Sequence, residues 1–323
     1  MVVNTQAVRS RVARLPLVRL SWGVAAATLA AYPLLIPSSY YVSLAIDVLI
    51  MGVYALTFDL LLGFTGLLSL GHTLFFGLGA YAVGLLMVKA GLGVAAALPL
   101  AVVAALLVAV LFGVLSLRVS GVYFAMVTLA FSELTRLAVE KMSWLTGGAD
   151  GLAGLPTPAW LGDRTVFYYV ALALLVSTYL LLRRLVASPV GTTWIAIREN
   201  ERRAAAIGYN VFAYKLLAIT VAGVLAALAG AAHALFFSYV SPEVLGVDNT
   251  INVLLMTMIG GLGTLTGPVL GAVVVRAVGT MLSSYTDHWL LLFGVLYVAI
   301  VMFRPKGLLG SVRARQARQE VAA

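Results

Sequence analysis

The sequence predicts an all-α fold, a polytopic integral membrane helical bundle of about ten transmembrane segments with broken helices and two loosely repeated halves. Three observations predict it. Of the 323 residues, 62% are hydrophobic and only 10% are charged, whereas about a quarter of the residues of a soluble domain are charged. Several apolar runs are long enough to cross a hydrocarbon core of about 30 Å, which takes roughly 20 helical residues. The runs are continuous rather than alternating, and among the structures that satisfy their backbone in lipid this is the pattern of helices, not of barrel strands. Cysteine is absent, which excludes disulfides, thiol catalysis and cysteine-ligated metals.

Taken in order, a basic arm at 1–21, with Arg9, Arg11, Arg14 and Arg19, precedes a short first span at 22–36. The arm and span imitate a signal peptide, but the spans that follow favour retention as an anchor. The second span is 40–62 and the short third is 73–88. The fourth and fifth are 94–117 and 122–139, the sixth 166–182 and the seventh 214–237. An apolar piece at 251–259 is too short to cross alone. The runs 268–282 and 289–303 complete a membrane domain of 22–303, followed by a basic tail at 304–323. If the weak segments 73–88 and 251–259 do not both cross, the count is eight or nine.

Charge sets the orientation. With the arm inside and each segment crossing once, Arg118, a polar island at 183–215 and the tail also fall inside. The island holds Arg183, Arg184, Arg198, Arg202, Arg203 and Lys215, and the tail holds Arg304, Lys306, Arg313, Arg315 and Arg318. Sixteen of the 21 Lys and Arg residues are then cytoplasmic, while Asp150, Asp163, Glu243, Asp248 and Asp287 lie opposite. Both termini are therefore expected in the cytoplasm. The net charge of +9 reflects these flanks rather than a nucleic-acid partner.

Two glycine-rich stretches interrupt the spans on the same side, Gly63-Phe-Thr-Gly66-Leu-Leu-Ser69-Leu-Gly71-His72 and Gly260-Gly261-Leu-Gly263-Thr264-Leu-Thr266-Gly267-Pro268. Broken helices at matching places in two halves point to a transport path or gate. The alternative is tight turns and close helix contacts. Ionisable groups inside spans are costly and usually functional. Glu133 and Arg136, three residues apart, can neutralise each other as a structural lock. Asp59 and Arg276 have no partner within their own spans, and a contact between them is one way to pair both. Asp47 lies near an outer end, where water reaches. Ser69 and His72 share a helical face, but no Gly-x-Ser-Gly element accompanies them, which argues against a hydrolase. His233 reads as a packing residue, and three scattered histidines argue against a metal site. The chain lacks a P-loop, so no ATP, and no cofactor, is expected on it.

The polar loop at 183–213 is the last element to justify. Ser188-Pro189 marks a break, and Thr192 or Thr193 is placed to cap a helix from Trp194 to about Ile207, ahead of Gly208. Trp194, Ile197, Ala204 and Ala205 fall near one face, and Glu199 is in reach of Arg202 and Arg203 on the other. Such a helix either lies on the anionic inner leaflet or docks into a soluble motor.

The chain resembles the LivM-type permease subunits of branched-chain amino acid ABC importers. The resemblance runs from about residue 40 to 310. The matching pieces begin with Gly63 to His72, Phe75-Phe-Gly-Leu-Gly-Ala-Tyr81 and Leu117-Arg-Val-Ser-Gly-Val-Tyr-Phe-Ala-Met-Val-Thr-Leu129. They continue with Ser132-Glu-Leu-Thr-Arg136, Thr146-Gly-Gly-Ala-Asp-Gly151, Ala196-Ile-Arg-Glu-Asn-Glu201, Gly208-Tyr-Asn210 and Tyr214-Lys-Leu216. Ser241-Pro-Glu243, Gly260-Gly-Leu-Gly263 and Arg304-Pro-Lys-Gly-Leu308 complete the set. The resemblance implies a multi-pass subunit of the bacterial cytoplasmic membrane that pairs with a second, related permease, two cytoplasmic ATPases carrying ATP and Mg, and an extracytoplasmic substrate-binding protein. It implies that the island is an ATPase coupling helix, with Arg198, Glu199, Asn200, Glu201 and Gly208 matching its motif. It also implies that the loops 146–151 and 241–248 face the binding protein.

Overall fold

The computed structural model describes residues 38–285 together with positions 29, 31–33, 35, 291, 294, 295, 302, 307 and 308. The basic arm, the charged residues of the tail and most of the expected spans 22–36 and 289–303 lie outside the described residues.

Ten helices organise the described chain: α1 (Ser39–Asp59), α2 (Thr73–Val88), α3 (Val94–Ser116), α4 (Val122–Lys141), α5 (Arg164–Val186), α6 (Pro189–Glu199), α7 (Glu201–Ala206), α8 (Val211–Phe237), α9 (Val247–Gly260) and α10 (Thr266–Tyr285). Short connections join most of them; residues 142–163, between α4 and α5, carry two further four-residue helices, Ser143–Thr146 and Ala159–Gly162, and a two-residue strand β1 (Leu152–Ala153) that pairs antiparallel with β2 (Tyr239–Val240). Five helical stretches are long and apolar enough to cross a membrane: Ser39–Thr65, Val94–Ser116, Val122–Lys141, Arg164–Val186 and Val211–Phe237. Thr73–Val88 and Thr266–Thr280 are shorter apolar helices. The 14 residues of α9 span about 21 Å at 1.5 Å per residue, so this helix does not cross a full hydrocarbon core alone.

Helix ends reach past the apolar runs wherever a polar residue caps them. Asp163 accepts from the Thr165 amide at 2.8 Å, and Asn210 accepts from the Ala213 amide at 3.1 Å. These caps start α5 and α8 two and three residues before the expected spans.

The core follows from where apolarity is unbroken around a helix. In α1 every residue from Leu49 to Asp59 is buried, as expected of a helix apolar on all sides. Around it pack α5, α8, α9 and α10. On the other side of α8 lie α2 and α3. The buried face of α3 is a ridge of small residues, Ala97, Ala101, Ala105, Ala109 and Gly113. Their four-residue spacing lets the α8 backbone approach closely, and Gly223 of α8 lies against Ala109. α4 sits outermost, with only Phe124, Ala125 and Ser132 buried.

Candidate functional site

The site is built at the end of α1. There the helix passes into a π-helical turn, Leu60–Phe64, and then unwinds. The Leu67 amide bonds back to the Leu61 carbonyl at 2.9 Å, and the Thr65 hydroxyl bonds to the same carbonyl at 2.6 Å. Asp59, just before this turn, is fully buried. A buried carboxylate is tolerated only when its oxygens are satisfied. Here Oδ1 accepts from the Gly263 amide at 2.7 Å and Oδ2 from the Leu265 amide at 3.3 Å. Asp59 therefore holds the second glycine break against the first, across about two hundred residues of sequence.

Both breaks are glycine because of this contact. A Cβ on Gly63 would collide with the Asp59 carboxylate and with the Gly263 amide. Gly263 has φ +70°, which disfavours any L side chain. Thr264 fastens the second break to α10, donating to the Gly261 carbonyl at 2.7 Å and accepting from the Gly267 amide at 2.9 Å. Gly260 packs on Gly267, where α10 begins.

The polar loop at 183–213 enters the same cluster. Its fold differs from the single helix expected over 194–207. α6 begins at Pro189, whose fixed φ suits a first helical position, and the Thr192 and Thr193 hydroxyls bond back to the Pro189 carbonyl instead of capping. The helix breaks at Asn200, whose extended backbone (φ −159°) starts α7 while its side chain accepts from the Arg203 amide at 2.9 Å. Gly208 (φ +95°) follows the end of α7. Trp194 and Ile197 do not face outward. Both are buried against the bundle, with the Trp194 indole donating to the Tyr214 carbonyl at 2.8 Å. Ala204 is buried, but Ala205 is exposed. The break also separates Glu199 from Arg202 and Arg203, and it forms an ion pair with neither. Glu201 instead pairs with Lys215 at 2.6 Å.

Arg198 is exposed, as Glu199 is, yet only Arg198 has a partner in the glycine breaks. Its guanidinium donates to the Gly63 carbonyl, borders Gly263, and its stem lies on Gly66. One side chain of the polar loop thus touches both glycine breaks beside the Asp59 that joins them.

The remaining predicted residues lie deeper or elsewhere. His72 is fully buried; its Nε2 is 2.9 Å from the Thr57 hydroxyl, and its ring stacks on Tyr54. Its partner is Thr57 and not Ser69. Ser69 and Gly71 line a recess with Ser116, Phe124, Thr128 and Phe131. The expected Asp59–Arg276 contact is not formed. Arg276 lies 3.3 Å from Asp47, because the amides of the second break occupy Asp59. Glu133 and Arg136 do pair, at 2.9 Å, and Glu140 joins them at 2.5 Å. That third member was legible in its four-residue spacing from Arg136. The inward reach of Arg198 had no sequence signal. Neither did a buried hydroxyl chain in which Ser132 lies 2.8 Å from Thr73, Thr250 donates to Thr73 at 3.2 Å, and Ser132 donates to the Leu245 carbonyl.

At the far end of the bundle the loops around Gly151 and Ser241 meet. Leu152 pairs with Val240, and the Tyr239 hydroxyl donates to the Asp150 carbonyl at 2.9 Å. The molecule thus has a loop-paired end rich in acids and a glycine-break end rich in arginine, joined by the buried α1.

Comparison with known proteins agrees with this architecture. Residues 40–303 match the family described as branched-chain amino acid transport system, permease component. The high-affinity branched-chain amino acid transport system permease protein LivM of Salmonella typhimurium is 31% identical over 310 residues, covering 88% of this chain and 73% of that protein. The LivM protein of Escherichia coli is 30% identical with the same coverage. The autoinducer 2 import system permease protein LsrC of Photorhabdus laumondii is 24% identical over 196 residues, 58% of this chain and 57% of that protein. No solved structure matches. With four-fifths of its length inside that match, and its two breaks folded onto one buried acid, the chain belongs to the family of branched-chain amino acid transport permease components.

Proposed function

We infer that the chain is one transmembrane subunit of an ATP-driven importer of leucine, isoleucine, valine or a closely related hydrophobic amino acid. In this reading it forms a heterodimer with a second, related permease in the bacterial cytoplasmic membrane. Both of its termini are cytoplasmic, and it receives substrate from an extracytoplasmic binding protein at the loop-paired end. Two cytoplasmic ATPases hold the ATP and Mg and dock at the coupling loop, with Glu199 on the exposed side of α6. The substrate class is carried over from the names of the LivM relatives. The name of the LsrC relative sets a different cargo beside the same family, so cargo is a matter for direct measurement.

The observation that supports the reading most is the reach of Arg198 from α6 to the Gly63 carbonyl, beside Gly263. Movement of α6 by a docked ATPase would pull on both breaks at once, which is what opening or closing a path at that end requires. A charged hydrogen bond of this kind is worth about 1.5–3 kcal/mol, roughly a ten- to hundredfold bias between two conformations.

The test is reconstitution of the two permeases and two ATPases in proteoliposomes, with the binding protein and radiolabelled leucine outside and nucleotide supplied to the ATPases. Uptake is expected to require ATP hydrolysis. Arg198→Ala is expected to leave ATP hydrolysis near its normal rate while uptake falls by about tenfold or more, because docking survives and transmission does not. Hydrolysis and uptake falling in parallel would make Arg198 a docking residue. Leucine uptake that needs no nucleotide and follows an ion gradient would overturn the importer reading altogether.

A further inference from the structure

We propose that Asp47 and Arg276, with His233 beside them, hold the α-ammonium and α-carboxylate of the transported amino acid in the loop-paired half of the bundle. The proposal rests on reading the chain as a subunit of an amino-acid importer, and it assigns residues to the cargo.

Three helices each bring one ionisable group to this place. Asp47 lies on α1, about 12 Å from its first residue at 1.5 Å per residue. Arg276 stands midway along α10. The two side chains approach to 3.3 Å, Nε to Oδ2, but without the alignment of a hydrogen bond, so Nε stays unpartnered. His233 of α8 lies within electrostatic reach of Arg276, and its buried Nδ1 also has no hydrogen-bond partner. Charged groups at such depth face protein or a wet path rather than lipid.

The contrast with Arg136 shows what is unfilled. Arg136 is bonded through Nε to Glu133 and through Nη1 to Glu140, which is a finished lock. Arg276 has one loose contact, and neither it nor Asp47 makes a further hydrogen bond or ion pair among the described residues. Their side chains are 33% and 15% exposed, so both amino groups of the guanidinium and the second oxygen of Asp47 remain open to a ligand.

Those open valences select the ligand. A simple anion drawn to Arg276 is opposed by Asp47, and a simple cation drawn to Asp47 is opposed by Arg276. An α-amino acid carries both charges on neighbouring groups and no net charge. Its carboxylate fits the planar fork of Arg276, and its ammonium fits Oδ1 of Asp47.

A way in lies one turn towards the loop-paired end. Ser43 precedes Asp47 by one turn of α1, and Phe237 follows His233 by one turn of α8. Both line a cavity of about 400 Å³, within the range of roughly 300–1,000 Å³ for small-molecule sites. Phe167 and Phe236 add to its apolar wall, which suits a branched aliphatic side chain. Phe237 also touches His233, with ring centroids 4.6 Å apart. The cavity thus lies between the end that receives substrate in the reading above and the level of the pair.

The double variant Asp47→Leu/Arg276→Met removes both charges together, which spares the bundle the uncompensated charge that a single replacement leaves. It is tested in proteoliposomes of the two permeases and two ATPases, with the binding protein and radiolabelled leucine outside. The complex is expected to assemble and to melt as the parent does, while leucine uptake falls by about tenfold or more. Arg276→Lys, which keeps the cation but not the fork, is expected to fall between. Asp47→Asn/Arg276→Gln carries the same test should the apolar pair impair assembly. Because the chain has no cysteine, Ser43→Cys adds a readout of occupancy. Leucine-loaded binding protein with ATP is expected to slow its reaction with a membrane-impermeant maleimide in the parental background and not in that of the double variant. Parental uptake by an assembled double variant, or equal protection in both backgrounds, would overturn the proposal and leave the pair as a lock between α1 and α10. Nucleotide-independent uptake by the parent would retire the importer reading, while the comparison of parent and double variant still decides this one.

Discussion

Asp59 concentrates the energetics of the site in one residue. Its two oxygens satisfy a part-buried and a buried backbone amide of another segment, and leaving a buried one unsatisfied costs about 1–3 kcal/mol. Asp59→Leu is therefore expected to unfold the complex at a clearly lower temperature in detergent. Asp59→Asn, which keeps an acceptor for the shorter bond, is expected to lose less. Equal melting temperatures for the two variants would mean that the amides find other partners. Gly63→Ala tests the same contact from the turn that follows Asp59. The added Cβ has only the Asp59 carboxylate and the Gly263 amide to displace, and overpacking of this kind costs about 1–3 kcal/mol. Uptake in the Gly63→Ala complex is expected to fall even where enough protein assembles to bind nucleotide. Normal transport would show that the two breaks separate freely during the cycle.

At the scale of elements, the polar loop is two short helices meeting at Asn200, and the break is specified by side-chain chemistry. The asparagine oxygen competes for the Arg203 amide, and loss of such a cap costs about 0.5–2 kcal/mol. Asn200→Ala is expected to speed hydrogen exchange of the first amides of α7 without changing exchange in α8. Uniform protection across both would mean that α6 and α7 fuse into one helix in the variant. The break also separates the two glutamates that the motif groups together. Glu201 is held by Lys215, whereas Glu199 is exposed and has no ion-pair partner among the described residues, which leaves it open to the ATPase contact proposed above. Lys replacement at Glu199 thus probes docking alone, and replacement at Glu201 disturbs the fold of the loop as well. The motif marked this segment but not its division of labour. Spacing places Arg198 and Glu199 on adjacent helical positions, and only the seating of Trp194 and Ile197 on the bundle decides which of the two points inward.

For the whole molecule, the sequence made the spans legible because their signal is local. Apolar runs and polar caps report on a helix without knowledge of its neighbours, so the helices of the described residues fall within a few residues of the expected segments. Pairings across the bundle are another matter. Asp47 and Asp59 both precede the first break in a single helix, and nothing local tells which one meets Arg276. The geometry settles it because Asp59 reaches the end where the second break returns, while Asp47 lies three turns back along α1. The same directional logic leads to a prediction about the molecule in its membrane. Asp150 precedes α5 and Arg203 follows it, so a single crossing by α5 puts them on opposite faces. By the excess of arginine beside Arg203, that face is expected to be the cytoplasmic one. Since no native thiol is present, Asp150→Cys and Arg203→Cys each carry one site for a membrane-impermeant maleimide. In right-side-out vesicles Asp150→Cys is expected to react and Arg203→Cys to be protected, with the pattern reversing in inside-out vesicles. Labelling of both from the same face would contradict the crossing by α5, and a clean inversion would contradict the charge assignment while leaving the bundle intact.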